Sequence, residues 1–182
     1  MPLHPLFFLK PATSVIGTGG AIHRPARYAG KIVFEGELGV VIGRECSNVS
    51  EADADRYIFG YTCVNDVTAA DLIGEDPNFA QWCRSKGFDT FSCLGPAIST
   101  TLDWASARVV TTLDGVERQN YPLADMIFPP RTLVSRISGD MTLQPGDVIA
   151  CGTSLGVGSM KDGARVRIRI DGIGELGNTL VG

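Results

Sequence analysis

The segment from Ile32 to Gly43 limits the fold more than any other part of the chain. It is apolar and rich in β-branched residues at both ends, a pattern typical of a β-strand. Successive side chains of a strand point to opposite faces, so Glu35 and Glu37 are expected on the same face. A second, mostly apolar segment ends at Asp66, which predicts a neighbouring strand that delivers a third carboxylate at its end.

The three acidic residues allow two interpretations. Carboxylates on one face repel each other unless a cation or a proton lies between them, and three oxygen ligands suit Mg²⁺ or Mn²⁺ better than Zn²⁺. Alternating glutamates are also common on the solvated face of a half-buried sheet, where Glu35 and Glu37 would be ordinary surface charges. The spacing alone leaves both interpretations open.

Size and composition predict one mostly β domain. A chain of 182 residues is long enough for a single domain, residues 1–182, with a core of its own. Its 22 glycines and its 20% of charged residues favour a turn-rich β protein over a helical bundle. The net charge is −4 and no Lys/Arg run occurs, so we expect no nucleic-acid partner.

The same data predict a cytoplasmic protein. No apolar run approaches the roughly 20 residues that span a bilayer, and the N-terminal residues lack a basic leader and a cleavage site. We therefore expect no membrane association. The five cysteines are scattered, odd in number and never spaced Cys-x-x-Cys, which favours reduced thiols over disulfides or a zinc site.

Other segments have more local signals. Arg118 and Gln119 are expected on the exposed arm of a hairpin. The predicted elements are a short buried strand over residues 6–10, a helix from an N-cap at Ser50 to near Gly60, a turn capped by Thr68, a helix within residues 77–91, a hairpin over 107–121 with its turn at Asp114–Gly115, a helix over 131–138, a strand over 148–151 that enters the loop Gly152–Gly158, and a final hairpin from Ala164.

Taken together, the motifs resemble the fumarylacetoacetate hydrolase family. Its members carry a Glu-x-Glu strand and an Asn-Asp-x-Ser/Thr-Ala segment, matched here by residues 35–37 and 65–69. Further matches are the Phe-x-Lys-Pro of residues 8–11, the Lys-Gly-Phe-Asp-Thr of 86–90 and the glycine-rich loop 152–158, in the family's order. The resemblance runs from Phe8 to Val181 and implies a mostly β roll of layered mixed sheets with short helices (α+β), usually a homodimer.

The resemblance also assigns roles to eight residues and implies a small 2-oxo or diketo carboxylic acid as substrate. In the family the threonine of the glycine-rich loop binds a substrate oxygen, although Ser154 here replaces the usual proline. The implied residues are Glu35, Glu37 and Asp66 as ligands of Mg²⁺ or Mn²⁺ (with Ca²⁺ as a further option), Lys86 as the catalytic residue, and Lys10, Thr90, Gly152 and Thr153 as substrate-binding residues.

Two departures from the family keep the reaction open. Members that hydrolyse carbon–carbon bonds carry an Asn-Tyr-x-x-His-x-x-Glu segment before Phe-x-Lys-Pro, and neither His4 nor His23 is followed by a glutamate three residues later. Ala70 and Ile73 stand where many members have Arg and Gln. We expect an acylpyruvate hydrolase that works through an enolate. The alternatives are an isomerase or oxaloacetate-type decarboxylase, an impaired metal- or ligand-binding paralogue, or a longer protein whose start codon is misassigned.

Overall fold

The computed structural model describes residues 2–182. This part of the chain contains thirteen strands and two α-helices, joined in places by single 3₁₀ turns. In chain order they are β1 (Val15–Ile16), β2 (Ala21–His23), β3 (Ile32–Phe34), β4 (Gly36–Ile42), β5 (Ile58–Asp66), β6 (Thr68–Ala69), α1 (Trp82–Lys86), β7 (Ser92–Ser99), β8 (Arg108–Leu113), β9 (Val116–Pro122), α2 (Pro130–Asp140), β10 (Val148–Ala150), β11 (Gly158–Met160), β12 (Arg165–Ile170) and β13 (Gly174–Val181).

The strands form three sheets. The β4 sheet has the order β1-β7-β5-β4-β10, the β3 sheet has the order β11-β3-β6, and the β12 sheet has the order β2-β13-β12-β8-β9. The pairs β1–β7 and β13–β2 are parallel, whereas the remaining pairs of these sheets are antiparallel. The predicted fold of layered mixed sheets with short helices is therefore confirmed.

A bent two-stranded ribbon links the β3 sheet to the β4 sheet. One arm of the ribbon runs from β3 into β4, and the other runs from β5 into β6. The two places where the chain crosses from one sheet to the other lie side by side. Glu35 occupies the first crossing, and its carbonyl accepts a hydrogen bond of 3.0 Å from the Asp66 N–H. The predicted single strand Ile32–Gly43 is thus divided at Glu35, because its two halves pair with different neighbours.

Two core clusters follow each other along β4. Leu38 belongs to the main cluster, which also contains Phe34 of β3, Ile168 of β12 and Leu176 of β13. Val40 and Ile42, further along the strand, belong to a second cluster that includes residues of α2. All seven residues of β4 are buried, including its one acidic residue.

The predicted strand over residues 6–10 is wrong. Leu6 and Leu9 are 66% and 63% exposed, and the segment pairs with no strand among residues 2–182. Prolines on both sides of it remove two backbone N–H donors, which disfavours a ladder. The segment is held by side chains instead, since Phe8 stacks on Trp82 with ring centroids 6.0 Å apart.

The other local predictions hold to different degrees. The Asp114–Gly115 turn is confirmed, with φ angles of 51° and 79°. The Ser50 hydroxyl accepts the Asp53 N–H at 3.3 Å as a cap would, but the helix is one 3₁₀ turn, Ala54–Arg56. The predicted cap at Thr68 is wrong, because this residue lies in β6.

The helix predicted over 131–138 is α2, which extends to Asp140 and passes through Gly139. The final hairpin is confirmed as β12 and β13, and β12 alternates exposed arginines with buried Val or Ile. None of the helices within residues 2–182 is long and apolar enough to cross a membrane.

Candidate metal centre

Three carboxylates converge at the bend of the ribbon. Oxygen atoms of Glu35, Glu37 and Asp66 all lie within 4.8 Å of one another. Glu35 comes from the crossing between β3 and β4, Glu37 from β4, and Asp66 from the end of β5. Glu37 and Asp66 are only 2% and 3% exposed and the Glu35 side chain is 17% exposed, so the two glutamates are not ordinary surface charges of a solvated sheet face.

Two lysines neutralise part of this negative charge. Lys86, the last residue of α1, is buried, and its Nζ donates to Asp66 Oδ2 at 2.6 Å and to Glu35 Oε2 at 2.8 Å. Lys10 Nζ forms an ion pair with Asp66 Oδ1 and donates to the Phe91 carbonyl at 2.9 Å. Each oxygen of Asp66 therefore contacts one ammonium group.

Burial and crowding shift the protonation equilibria. Burial, then the charges of Asp66 and Glu35, raises the pKa of Glu37 to about 8. Burial alone would lower the pKa of Lys86, but the carboxylates of Asp66 and Glu35 outweigh it and raise that pKa. For Lys10 burial outweighs the attraction of Asp66, so its pKa is lowered.

The donor set fits a hard divalent cation. Oxygen ligands at about 2.1–2.5 Å from an ion lie roughly 4–5 Å apart across it, a span that the 4.8 Å cluster matches. Carboxylates that bind metals are usually held by further hydrogen bonds. Here the Thr68 hydroxyl donates to Glu35 Oε1 at 2.8 Å, and the Gly152 N–H donates to Glu37 Oε2 at 2.7 Å. The arrangement suits Mg²⁺, Mn²⁺ or Ca²⁺.

The glycine-rich loop lies against the same segment. Besides the bond from the Gly152 N–H, the Thr153 hydroxyl donates to the carbonyl of Gly36 at 2.9 Å. Thr90 differs, since its hydroxyl accepts the His23 N–H at 2.8 Å, and no hydrogen bond within residues 2–182 joins its side chain to the carboxylates. Its role as a substrate-binding residue stays a prediction.

Two functional candidates were missed at the sequence level. The Gln119 side chain is buried, accepts the Gly36 N–H at 3.0 Å and does not lie on an exposed arm. The Tyr121 hydroxyl donates to the Gly36 carbonyl at 2.7 Å. The available signal was their spacing of two in a strand, which puts both side chains on one face.

Comparisons with known proteins identify the family of the chain. A sequence model of a family described as "Fumarylacetoacetate (FAA) hydrolase C-terminal" matches residues 1–181. Oxaloacetate tautomerase YisK of Bacillus subtilis is 36% identical over 190 aligned residues, which cover 99% of this chain and 62% of that protein.

Solved structures share the fold along nearly the whole chain. The crystal structure of 5-carboxymethyl-2-hydroxymuconate delta-isomerase from Mycobacterium smegmatis matches with a TM-score of 0.94 and 44% identity, over 99% of this chain and 70% of that one. Fumarylpyruvate hydrolase from Pseudomonas aeruginosa, in complex with Mn²⁺ and pyruvate, matches with a TM-score of 0.90 and 29% identity, over 97% of this chain and 78% of that one. The chain belongs to the fumarylacetoacetate hydrolase family.

Proposed function

We propose that residues 1–182 form one catalytic domain that hydrolyses a carbon–carbon bond in small acylpyruvates or diketo acids. Mg²⁺ or Mn²⁺, or alternatively Ca²⁺, would be held by Glu35, Glu37 and Asp66. The observation that carries the proposal is the convergence of these three carboxylates within 4.8 Å. The Mn²⁺ and pyruvate in the structure of the P. aeruginosa fumarylpyruvate hydrolase support it.

Held by Glu35, Glu37 and Asp66, a divalent cation would supply Lewis-acid stabilisation of negative charge on the substrate. The chain's own residues supply charge and orientation. Lys86 places a buried positive charge against the oxygens of Glu35 and Asp66, beside the position where negative charge would develop on the substrate. Lys10 adds a second cation beside Asp66, suited to a substrate carboxylate.

The loop orients the other end of the substrate. Gly152 is exposed, its N–H is fixed on Glu37, and the neighbouring Thr153 hydroxyl lies at Gly36 between the two glutamates. A substrate that reaches the carboxylate cluster would therefore meet this hydroxyl at its edge. Holding a substrate in one orientation removes much of the entropic cost of reaction.

A second candidate is isomerisation, tautomerisation or decarboxylation of a 2-oxo dicarboxylate. Hydrolysis needs an activated water besides the enolate, whereas these reactions need the enolate and a proton transfer but no attacking water. Within residues 2–182, His4 and His23 are exposed, and the acidic cluster includes no histidine. The 36% identity to oxaloacetate tautomerase YisK favours the same alternative. A catalytically impaired metal-binding paralogue would keep the site without any turnover.

The test compares three reactions with Mn²⁺ present and after EDTA treatment. These are pyruvate release from an acylpyruvate, decarboxylation of oxaloacetate, and its keto–enol interconversion. We expect one of them to depend on metal and to fall at least about 100-fold in Glu35→Gln. The matched control is Glu175→Gln, because Glu175 is an exposed glutamate paired with Arg167.

Each outcome has a separate meaning. Full activity in both the EDTA-treated protein and Glu35→Gln would contradict a metal-dependent mechanism. Metal-dependent conversion of oxaloacetate without acylpyruvate cleavage would favour the second candidate. Mn²⁺ binding without any turnover would point to the impaired paralogue.

We also propose a homodimeric, cytoplasmic enzyme whose partner is its small acid substrate. The dimer rests on the family resemblance, and light scattering at several protein concentrations tests it. The location is supported by the cysteines, since Cys46, Cys63, Cys83, Cys93 and Cys151 are all free thiols.

A further inference from the structure

We infer that Gln119 is a positioning residue that couples the metal-binding segment Glu35–Gly36–Glu37 to the substrate-binding loop at Thr153. The inference rests on the proposed function and adds a residue of β9 that contacts neither the carboxylates nor an expected substrate position. In this arrangement the metal-binding segment and the substrate-binding loop keep a fixed position relative to each other.

Both polar atoms of the Gln119 side-chain amide form hydrogen bonds. Its Oε1 accepts the Gly36 N–H at 3.0 Å, while its Nε2 donates to Thr153 Oγ1 at 2.8 Å and to the Ser154 carbonyl at 3.0 Å. The reversed orientation would oppose two donors at Gly36 and two acceptors at Ser154, so only this orientation satisfies the contacts. The residue is 1% exposed, and water cannot replace these bonds.

Gly36 transmits this constraint to the carboxylates. Its carbonyl accepts from both the Tyr121 hydroxyl at 2.7 Å and the Thr153 hydroxyl at 2.9 Å. A Cβ at position 36 would lie 2.1 Å from Thr111 Oγ1, so the backbone is packed closely and only glycine fits. Because residue 36 separates the two glutamates, its position sets the position of both.

The same bonds prepare Thr153 for a substrate. Its hydroxyl accepts from Gln119 and donates to Gly36, which fixes the oxygen in place. When its proton turns to a substrate oxygen, the Gly36 carbonyl keeps the Tyr121 hydroxyl as a donor. Thr153 can thus change partner without leaving a buried carbonyl unsatisfied.

The test measures binding on purified protein and does not need turnover. Mn²⁺ affinity and the affinity of the Mn²⁺-loaded protein for oxalate are determined by calorimetry for the wild type and Gln119→Met. We expect Gln119→Met to weaken oxalate binding about tenfold and Mn²⁺ binding by a smaller factor, in the range of losses at residues that support metal ligands.

The matched control is Asn178→Leu. Asn178 is another buried amide, on β13 of the β12 sheet, and its Nδ2 donates to the Gly17 and Gly20 carbonyls in the turn between β1 and β2. This variant should lose thermal stability as Gln119→Met does, yet bind Mn²⁺ and oxalate within about twofold of the wild type. If Gln119→Met shows no cooperative unfolding transition, Gln119→Asn replaces it, because the shorter amide cannot reach Gly36 and Thr153 together.

A double-mutant cycle with Thr153→Val separates positioning from a general structural role. If Gln119 acts through Thr153, the double variant binds oxalate within about twofold of Thr153→Val alone. If the losses of oxalate affinity in the two single variants multiply in the double variant, the two residues act independently and the inference is overturned. Wild-type affinities in Gln119→Met would overturn it as well. If the wild type itself binds no Mn²⁺, the proposed function is wrong and the inference with it.

Discussion

The substitution Lys86→Met tests how the carboxylate cluster is kept stable without a metal ion. It retains most of the side-chain volume but removes the ammonium that contacts Asp66 at 2.6 Å and Glu35 at 2.8 Å. Removing one partner of a buried ion pair costs about 3–5 kcal/mol. We expect the low end, about 3 kcal/mol, because the Glu35 side chain is 17% exposed and Lys10 still contacts Asp66.

The assay is thermal unfolding at pH 7 in EDTA, followed by a Mn²⁺ titration. For a chain of this length, a loss of about 3 kcal/mol lowers Tm by roughly 6–12 °C. A ligand that binds only the folded state stabilises it, by about 2.7 kcal/mol at 100 times its Kd. Because Mn²⁺ would restore the missing positive charge, it should raise the Tm of Lys86→Met more than that of the wild type.

The control is Lys161→Met, since Lys161 is exposed. Such a surface change should alter stability by no more than about 0.5 kcal/mol. If Lys86→Met unfolds in EDTA at the same temperature as this control, the ammonium does not stabilise the cluster. If Mn²⁺ raises the Tm of both variants equally, the ion and the ammonium do not share a site.

Three further predictions concern other parts of the structure. Because folding raises the pKa of Glu37 from 4.5 to about 8, the folded state holds the proton more tightly, so the metal-free protein should lose stability as pH rises between these values. Denaturant titrations at several pH values check this, and Glu37→Gln should flatten the slope; an unchanged slope would contradict it. Gly36→Ala should destabilise by about 1–3 kcal/mol through its 2.1 Å clash with Thr111, whereas Gly139→Ala, which meets nothing within 4 Å in α2, should be neutral or stabilising. Equal unfolding midpoints for the two glycine variants would refute this. A thiol reagent should modify one cysteine rapidly, Cys83, because it is the one exposed thiol of the five, and Cys83→Ser should abolish that fast phase; two or more fast thiols would contradict the lower exposure of the other four.

The convergence of the acidic residues could be predicted because it follows from strand geometry. Period-two spacing puts Glu35 and Glu37 on one face, and an antiparallel neighbour brings Asp66 to the same level. The division of the strand at Glu35 could not be predicted, since local propensity is the same on both sides. Only the different partners of β3 and β4 reveal it.

Long-range contacts account for the remaining differences. Residues 6–10 have the composition of a buried strand, but no strand edge within the described residues 2–182 pairs with them, and Phe8 and Lys10 anchor the segment by side chains instead. Gln119 has the sequence context of a surface residue, because its neighbours Arg118 and Asn120 are polar. Its burial depends on the glycine-rich loop, more than 30 residues later in the chain, as its bond to Thr153 shows.

The bend of the ribbon has a mechanical consequence. At this point the chain leaves the β3 sheet and enters the β4 sheet, and it returns between Asp66 and Thr68. At this crossing the Asp66 N–H donates a main-chain hydrogen bond to the Glu35 carbonyl, which joins the two arms. A metal ion bound by residues of both arms would link the two arms more firmly at this crossing. Removal of the metal ion by a chelator should therefore speed amide hydrogen exchange first in β3 and β6, while the interior of the β12 sheet stays protected.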